Sequence, residues 1–232
     1  MMQLLKSIRS SLGALLLRWI SATILVLPCL FNGATAQEFQ PKTKDVVVRV
    51  GVAGLHFDSS SSLTLAGAPL SGAGIRTSNN VTATVELDYY FLPNVSASLT
   101  VGIPPVTHVD GTGVLAPIGR LGDIRYGLAA FLIKYHFTEW GRFQPFAGGG
   151  LGYFKVFNTS GVGLNNLDVE DSIGPAFQIG FDYMFTRQIG MFASVSHAFM
   201  NTHGTATFVG LPVTADVKLN PTVVQGGLAV RF

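Results

Sequence analysis

A chain of 232 residues with 12% charged residues, 48% hydrophobic residues and 27 glycines is about half as charged as an ordinary soluble domain. Three of its fifteen basic residues and none of its thirteen acidic ones fall in the first 36 positions, so residues 37–232 carry a net charge of −1 and offer nucleic acid no basic surface. The single cysteine, Cys29, lies in the same leading stretch, which leaves the rest without a disulfide framework, a thiol nucleophile or a thiolate metal ligand.

Residues 1–36 read as an export signal. Lys6, Arg9 and Arg18 form a basic region, an apolar core runs from Ile20 to Phe31, and Ala34-Thr35-Ala36 supplies a small-x-small cleavage pattern. A membrane anchor would need about 20 apolar residues, and this core is shorter. Pro28 before Cys29 does not fit a lipidation signal. Residues 37–232 then form one domain, in which no stretch is long and apolar enough to span a bilayer as a helix.

Eight segments with two-residue alternation follow. Alternation places neighbouring side chains on opposite faces of a strand. The first, about Asp45–Phe57, sets Val46, Val48, Val50 and Val52 against Arg49. In the second, Val81–Phe91, the apolar face carries Val81, Val85, Leu87, Tyr89 and Phe91, and the other face Thr82, Thr84, Glu86, Asp88 and Tyr90. Leu92-Pro93-Asn94 turns into the third, Val95–Ile103. The fourth, about Arg125–Phe137, places Phe131, Ile133 and Tyr135 opposite Leu128, Leu132 and Lys134. The fifth, about Phe143–Phe157, has its register blurred by Gly148, Gly149, Gly150 and Gly152. The sixth, Ile173–Phe185, points Phe177, Ile179, Phe181 and Tyr183 away from Gln178 and Asp182. The seventh is Ile189–Phe199. The eighth, Thr222–Phe232, opposes Val224, Leu228, Val230 and the terminal Phe232 to Val223, Gln225 and Arg231.

Short turns alternate with long connections at about 58–80, 104–122, 158–172 and 200–222, as in outer-membrane barrels. The predicted fold is therefore all-β, an eight-stranded antiparallel transmembrane β-barrel with short periplasmic turns and long extracellular loops. Tyr89, Phe91, Tyr135, Phe137, Trp140, Tyr183, Phe185 and Phe232 gather toward the short-turn rim as an interfacial girdle. A soluble lipocalin-type barrel is the rival, since alternation alone does not say which face is inside. Ionisable residues on the second face are costly in a dry core and ordinary in a polar lumen. With the leader and the terminal Phe232, they favour the membrane barrel. Leu228, Val230 and Phe232 then read as a barrel-insertion signal for the assembly machinery.

Several stretches carry a family resemblance: Arg49-Val-Gly, Ile103-Pro-Pro-Val-Thr-His108, Lys134-Tyr-His-Phe137, the run from Phe143 to Tyr153, Asp171-Ser-Ile-Gly-Pro-Ala, Gly180-Phe-Asp-Tyr183 and Arg231-Phe232. Over about residues 44–232 the chain resembles the outer membrane protein W family. The resemblance implies an eight-stranded barrel with a narrow, largely hydrophobic channel, and passage of small hydrophobic molecules across the outer membrane. Where relatives carry a channel-facing aromatic on strand seven, this sequence has Ser194 and Ser196, so no gate residue is carried over.

Strand heights add a pattern of their own. Arg49, Glu86, Asp88, Lys134, Asp182 and Arg231 share the inward face near the periplasmic end, three cations facing three anions, and read as a charged lumen floor. Above them Leu55, Phe57, Leu128, Leu132, Met200 and Val223 form an apolar channel lining. Leu63, Leu65, Leu70, Val114, Leu115 and Ile118 supply a greasy mouth in the loops. Pro104 and Pro105, Pro175 and Pro221 either gap the wall or merely stop strands. The expected partners are outer-membrane lipids, small hydrophobic solutes and the barrel-assembly machinery, with no nucleic acid. Catalytic signals are weak: the five histidines lack metal-ligand spacing, no Gly-x-Ser-x-Gly occurs, and no cofactor is expected. A hydrophobic channel releasing its cargo sideways into the membrane is the leading reading; a filled, pore-less barrel displaying its loops is the alternative.

Overall fold

The computed structural model describes residues 39–58, 60–162 and 164–232; the expected leader at 1–36 lies outside these. Eight long strands build the wall: β1 (Val46–Phe57), β2 (Asn80–Leu92), β3 (Val95–Gly102), β4 (Arg120–His136), β5 (Phe143–Gly161), β6 (Ser172–Met184), β7 (Ile189–Ala198) and β8 (Pro221–Arg231). Each pairs antiparallel with its neighbours, β8 returns to β1 with Val50 opposite Leu228, and β4 pairs β5, so the sheet closes. Closure leaves no edge to be solvated, a requirement where the surroundings offer no hydrogen bonds.

Exposure follows the two-residue rhythm. On β1 Arg49, Ala53, Leu55 and Phe57 are buried, while Val50 and Val52 are 54% and 58% exposed on the outside. The outer face is a continuous apolar band, and the girdle aromatics Tyr89, Phe91, Tyr135, Phe137, Trp140, Tyr183, Phe185 and Phe232 all lie on it.

The long connections are not irregular. Ala73–Thr77 pairs with Val106–Gly113, which pairs in turn onto the upper part of β4. On the other side Asn165–Val169, Asn201–Phe208, Leu211–Lys218 and Ser60–Leu65 form a second sheet. The wall thus continues above the barrel, and β4 and β5 extend to Arg120 and Gly161 instead of stopping at Arg125 and Phe157. Valine- and threonine-rich stretches such as Thr205–Thr207 and Val213–Val217 pair readily in this way. The hairpin between them turns on Val209 and Gly210, both at positive φ (49° and 79°), a two-residue turn lacking the usual Asn-Gly signature.

The structure assigns the faces of β5. Gln144, Phe146, Gly148, Gly152 and Phe154 point inward. A Cβ on Gly148 would lie 2.6 Å from Lys134 Cγ, so the missing side chain makes room for the lysine stem. Gly152 does the same beneath Met200.

Candidate functional site: the lumen

Four layers fill the barrel axis from the short-turn end upward. The lowest is a cap. Arg231 Nη1 and Gln144 Nε2 both donate to the Phe39 carbonyl, at 2.5 and 2.7 Å, and Arg231 Nη2 donates to Gln144 Oε1 at 3.0 Å. The Arg142 guanidinium lies 5.0 Å from the centre of the buried Phe39 ring.

Above the cap sits a buried charge network. Arg49 and Glu86 are direct cross-strand partners on β1 and β2. Arg49 Nη1 donates to Glu86 Oε1 at 2.9 Å and to Asp88 Oδ2; its Nε and Nη2 grip both oxygens of Asp182 at 2.8 and 2.6 Å. A planar guanidinium suits this fork. Lys134 Nζ reaches Glu86 at 2.6 Å and Asp88 at 3.4 Å. The Phe146 ring sits 5.2 Å from the Arg49 guanidinium carbon and 4.9 Å from Lys134 Nζ. His136 extends the network, its Nδ1 3.0 Å from Tyr90 Oη and its Nε2 2.9 Å from Ser96 Oγ.

One expected pairing differs. Arg231 stands one inward step below Arg49, because Val47 pairs with Arg231 and Arg49 with Ala229. It serves the Phe39 cap instead of a carboxylate, so two cations, Arg49 and Lys134, meet three anions directly.

The third layer is neutral and polar. Glu86 Oε2 accepts from Thr100 Oγ1, Gln178 Nε2 and Gln225 Nε2 at 2.8, 3.1 and 3.2 Å, and both glutamines also donate to Ser194 Oγ. Every oxygen of that buried carboxylate is therefore occupied. Above it opens a cavity of about 70 Å³ lined by Leu55, Leu128, Leu132, Met200, Val223 and Ala176. Ile103 and Ala129 belong to the outward-facing set of their strands, yet they too line this cavity, as does Pro105. The space therefore reaches through the wall. Strand pairing lapses there: β3 and β4 are paired up to Val101–Ala129, and pairing resumes only at Val106–Arg125. Pro175 is paired opposite Leu151 on β5, and Pro221 opposite Phe57 on β1. Toward β7, however, pairing lapses at these prolines as well: β6 and β7 are paired only as far as Ala176–Ala198, and β7 and β8 only as far as His197–Thr222.

The fourth layer, at the extracellular end, is a wholly apolar cavity of about 100 Å³, with Phe57, Ile75, Leu121, Tyr126, Phe154 and Val217 among its walls. Phe57 thus lines this upper space and not the lower one. Leu63, Leu65, Leu70, Val114, Leu115 and Ile118 gather around an adjoining opening.

Tyr90 lies inward beside Asp88 as its alternation indicates, and residue parity extended along the other strands would have found Tyr126, His136 and Phe192, which sit on the same faces as Leu128, Lys134 and Ser194. Phe146 and Phe154 were hidden by the glycines of β5. Strand seven does carry an inward aromatic, Phe192, one step below Ser194 and 6.0 Å from the Arg49 guanidinium carbon.

A closed barrel with an apolar outside and its charges gathered on the axis defines an outer-membrane β-barrel protein. The OmpW family pattern matches residues 42–232, and the chain belongs to that family. It is 30% identical to outer membrane protein W of Vibrio cholerae over 88% of this chain and 97% of that one. It is 28% identical to the dibenzothiophene metabolism operon protein PahQ of Pseudomonas aeruginosa, over 90% and 97% respectively. Among solved structures, the outer membrane protein OprG of Pseudomonas aeruginosa superposes with a TM-score of 0.79 at 26% identity, covering 83% of this chain and 98% of that one.

Proposed function

We propose that the protein passes small hydrophobic molecules across the outer membrane, admitting them at the extracellular mouth and releasing them sideways into the bilayer. The observation that carries this reading is the stacking of two apolar cavities above a sealed charge network, the lower one reaching through the wall beside Pro104–Pro105. An apolar solute gains by leaving water for such a lining and loses by approaching buried charge, so the periplasmic route is closed to it. Leu55, Leu128, Leu132, Met200 and Val223 line the path below and Phe57 above; Arg49, Glu86, Asp88, Lys134 and Asp182, with Arg231 beneath, form its floor. The dibenzothiophene operon context in PahQ's name agrees with a solute of this kind. Leu228, Val230 and Phe232 serve barrel assembly, and the apolar band contacts outer-membrane lipid. The protein acts as a conduit, without catalysis.

Uptake of a radiolabelled alkane or aromatic into proteoliposomes tests the proposal: entry above that of protein-free vesicles is expected, and equal entry overturns it. A second reading, a pore-less barrel displaying its loops, draws support from the packed row Phe57, Tyr126 and Phe154, which fills the axis between the cavities. It expects no uptake.

A further inference from the structure

The two cavities share no lining residue. Between them lies one contiguous layer of side chains: Tyr126 meets the Phe57 ring edge-on at 5.4 Å and stacks on Phe154 at 5.2 Å. Met200 and Leu219 complete the layer on the β7–β8 side, where the Leu219 amide donates to the Met200 carbonyl. All five are buried, and Tyr126 is fully so. Any solute moving from the upper cavity to the lower one must displace a member of this row.

Tyr126 differs from the others in how it is mounted. It follows Arg125 at a β-bulge, where the pairing of β4 with β5 slips from Arg125–Asn158 to Tyr126–Val156. On its other side the ladder to β3 is interrupted, leaving a single bond from the Tyr126 amide to the Pro105 carbonyl at 3.2 Å. A bulge beside a break in pairing is a place where a side chain can be re-aimed at little cost to the sheet. The extra residue of the bulge, Phe157, is on β5, but Phe154 itself is paired on both sides, opposite Leu128 and Ser172, and Phe57 is paired opposite Pro221. The Tyr126 hydroxyl is also held: Asn80 Nδ2, at the top of β2, donates to it at 3.2 Å. That bond spans the same stretch of wall at which the lower cavity reaches the outside.

We infer that Tyr126 is the gate between the two cavities and that its hydrogen bond to Asn80 is the latch that holds the gate shut. The inference rests on the transport reading, since a gate needs traffic. Displacing the ring from Phe57 and Phe154 joins the two apolar spaces into one path from the extracellular mouth to the opening beside Pro105. The latch sets how often this happens, and the size of the ring sets what passes.

The test is initial-rate uptake of radiolabelled naphthalene into proteoliposomes holding wild-type protein, Tyr126→Phe, Asn80→Ala, the double variant or Tyr126→Ala. Folding of each is checked by its heat-dependent gel mobility. Losing the latch bond is expected to raise the rate about three- to tenfold in either single variant. The double variant should show no further gain, because both substitutions remove the same bond. Tyr126→Ala should exceed them all. A merely structural role would lower uptake or leave it unchanged. Wild-type uptake with all variants at the wild-type rate, or additive single effects, overturns the gate alone. Wild type and Tyr126→Ala both at the level of protein-free vesicles overturn the transport reading and the gate together.

Discussion

Arg49 and Asp182, on strands three apart around the barrel, meet across the lumen in a two-pronged ion pair with contacts of 2.8 and 2.6 Å, both side chains removed from solvent. Breaking such a pair leaves a desolvated charge alone, at a cost of about 3–5 kcal/mol. Asp182→Ala should therefore lower the unfolding free energy by about that amount in urea titrations of vesicle-inserted protein. The companion outcome concerns the floor: Glu86→Gln, Asp88→Asn and Asp182→Asn together leave two unbalanced cations and should give planar bilayers a measurable ion conductance. An ion-tight triple variant would count against a floor made by these groups.

The outward parity of β6 makes Ile179 a lipid-facing residue, 64% exposed at the middle of its strand. Ile179→Arg should cost about 2–4 kcal/mol, the penalty for a cation near the bilayer midplane. The check is the same urea titration in vesicles. A loss below about 0.5 kcal/mol, the usual range of a surface substitution, would place Ile179 outside the hydrocarbon region.

Phe232 is 73% exposed at the girdle end of β8 and packs against little of the barrel. Phe232→Ser should reduce the folded, heat-modifiable band recovered from outer membranes in cells while leaving refolding of the purified chain into vesicles near the wild-type rate. Equal losses in both assays would make the residue a stability element instead of an assembly signal.

At the extracellular rim, hydrogen bonds from Lys155 Nζ at 2.6 Å, the Val156 amide at 2.9 Å and Tyr153 Oη at 2.8 Å hold the Asp171 carboxyl at about 2, below its ordinary 3.8. A carboxyl whose pKa is lowered on folding adds stability that is complete above the unfolded value and fades as pH falls toward the folded one. Exchange protection of the Val156 amide should thus decline between about pH 4 and pH 2. Asp171→Asn should abolish that pH dependence.

Parity made most of the wall legible. The run from Val81 to Phe91 fixes two faces without reference to anything else, and Lys134 and Asp182 fall at matching heights once the turns at 92–94, 138–142 and 186–188 are marked. The extracellular sheet was harder to see, because Val209-Gly210 turns without the residues that usually announce a hairpin. On β5 the glycines removed the alternating signal itself: Gly148 and Gly152 are inward positions whose content is the absence of a side chain. Arg231 lies on the expected face but one inward step below Arg49, and its partner there was not legible, since the Phe39 carbonyl it binds belongs to a segment with no alternation to read.

What the sequence settled by itself was the alternation, the count of strands and the side on which the ionisable groups lie, because side-chain direction in an extended chain depends only on position along it. The tertiary structure alone decided which charges touch, that the lumen is divided by Tyr126 against Phe57 and Phe154, and that pairing lapses beside Pro105 while Pro175 and Pro221 each keep a partner on one side. Those facts depend on the stagger between strands far apart in the chain. Stagger is set by the closed barrel as a whole, which no local run of residues encodes.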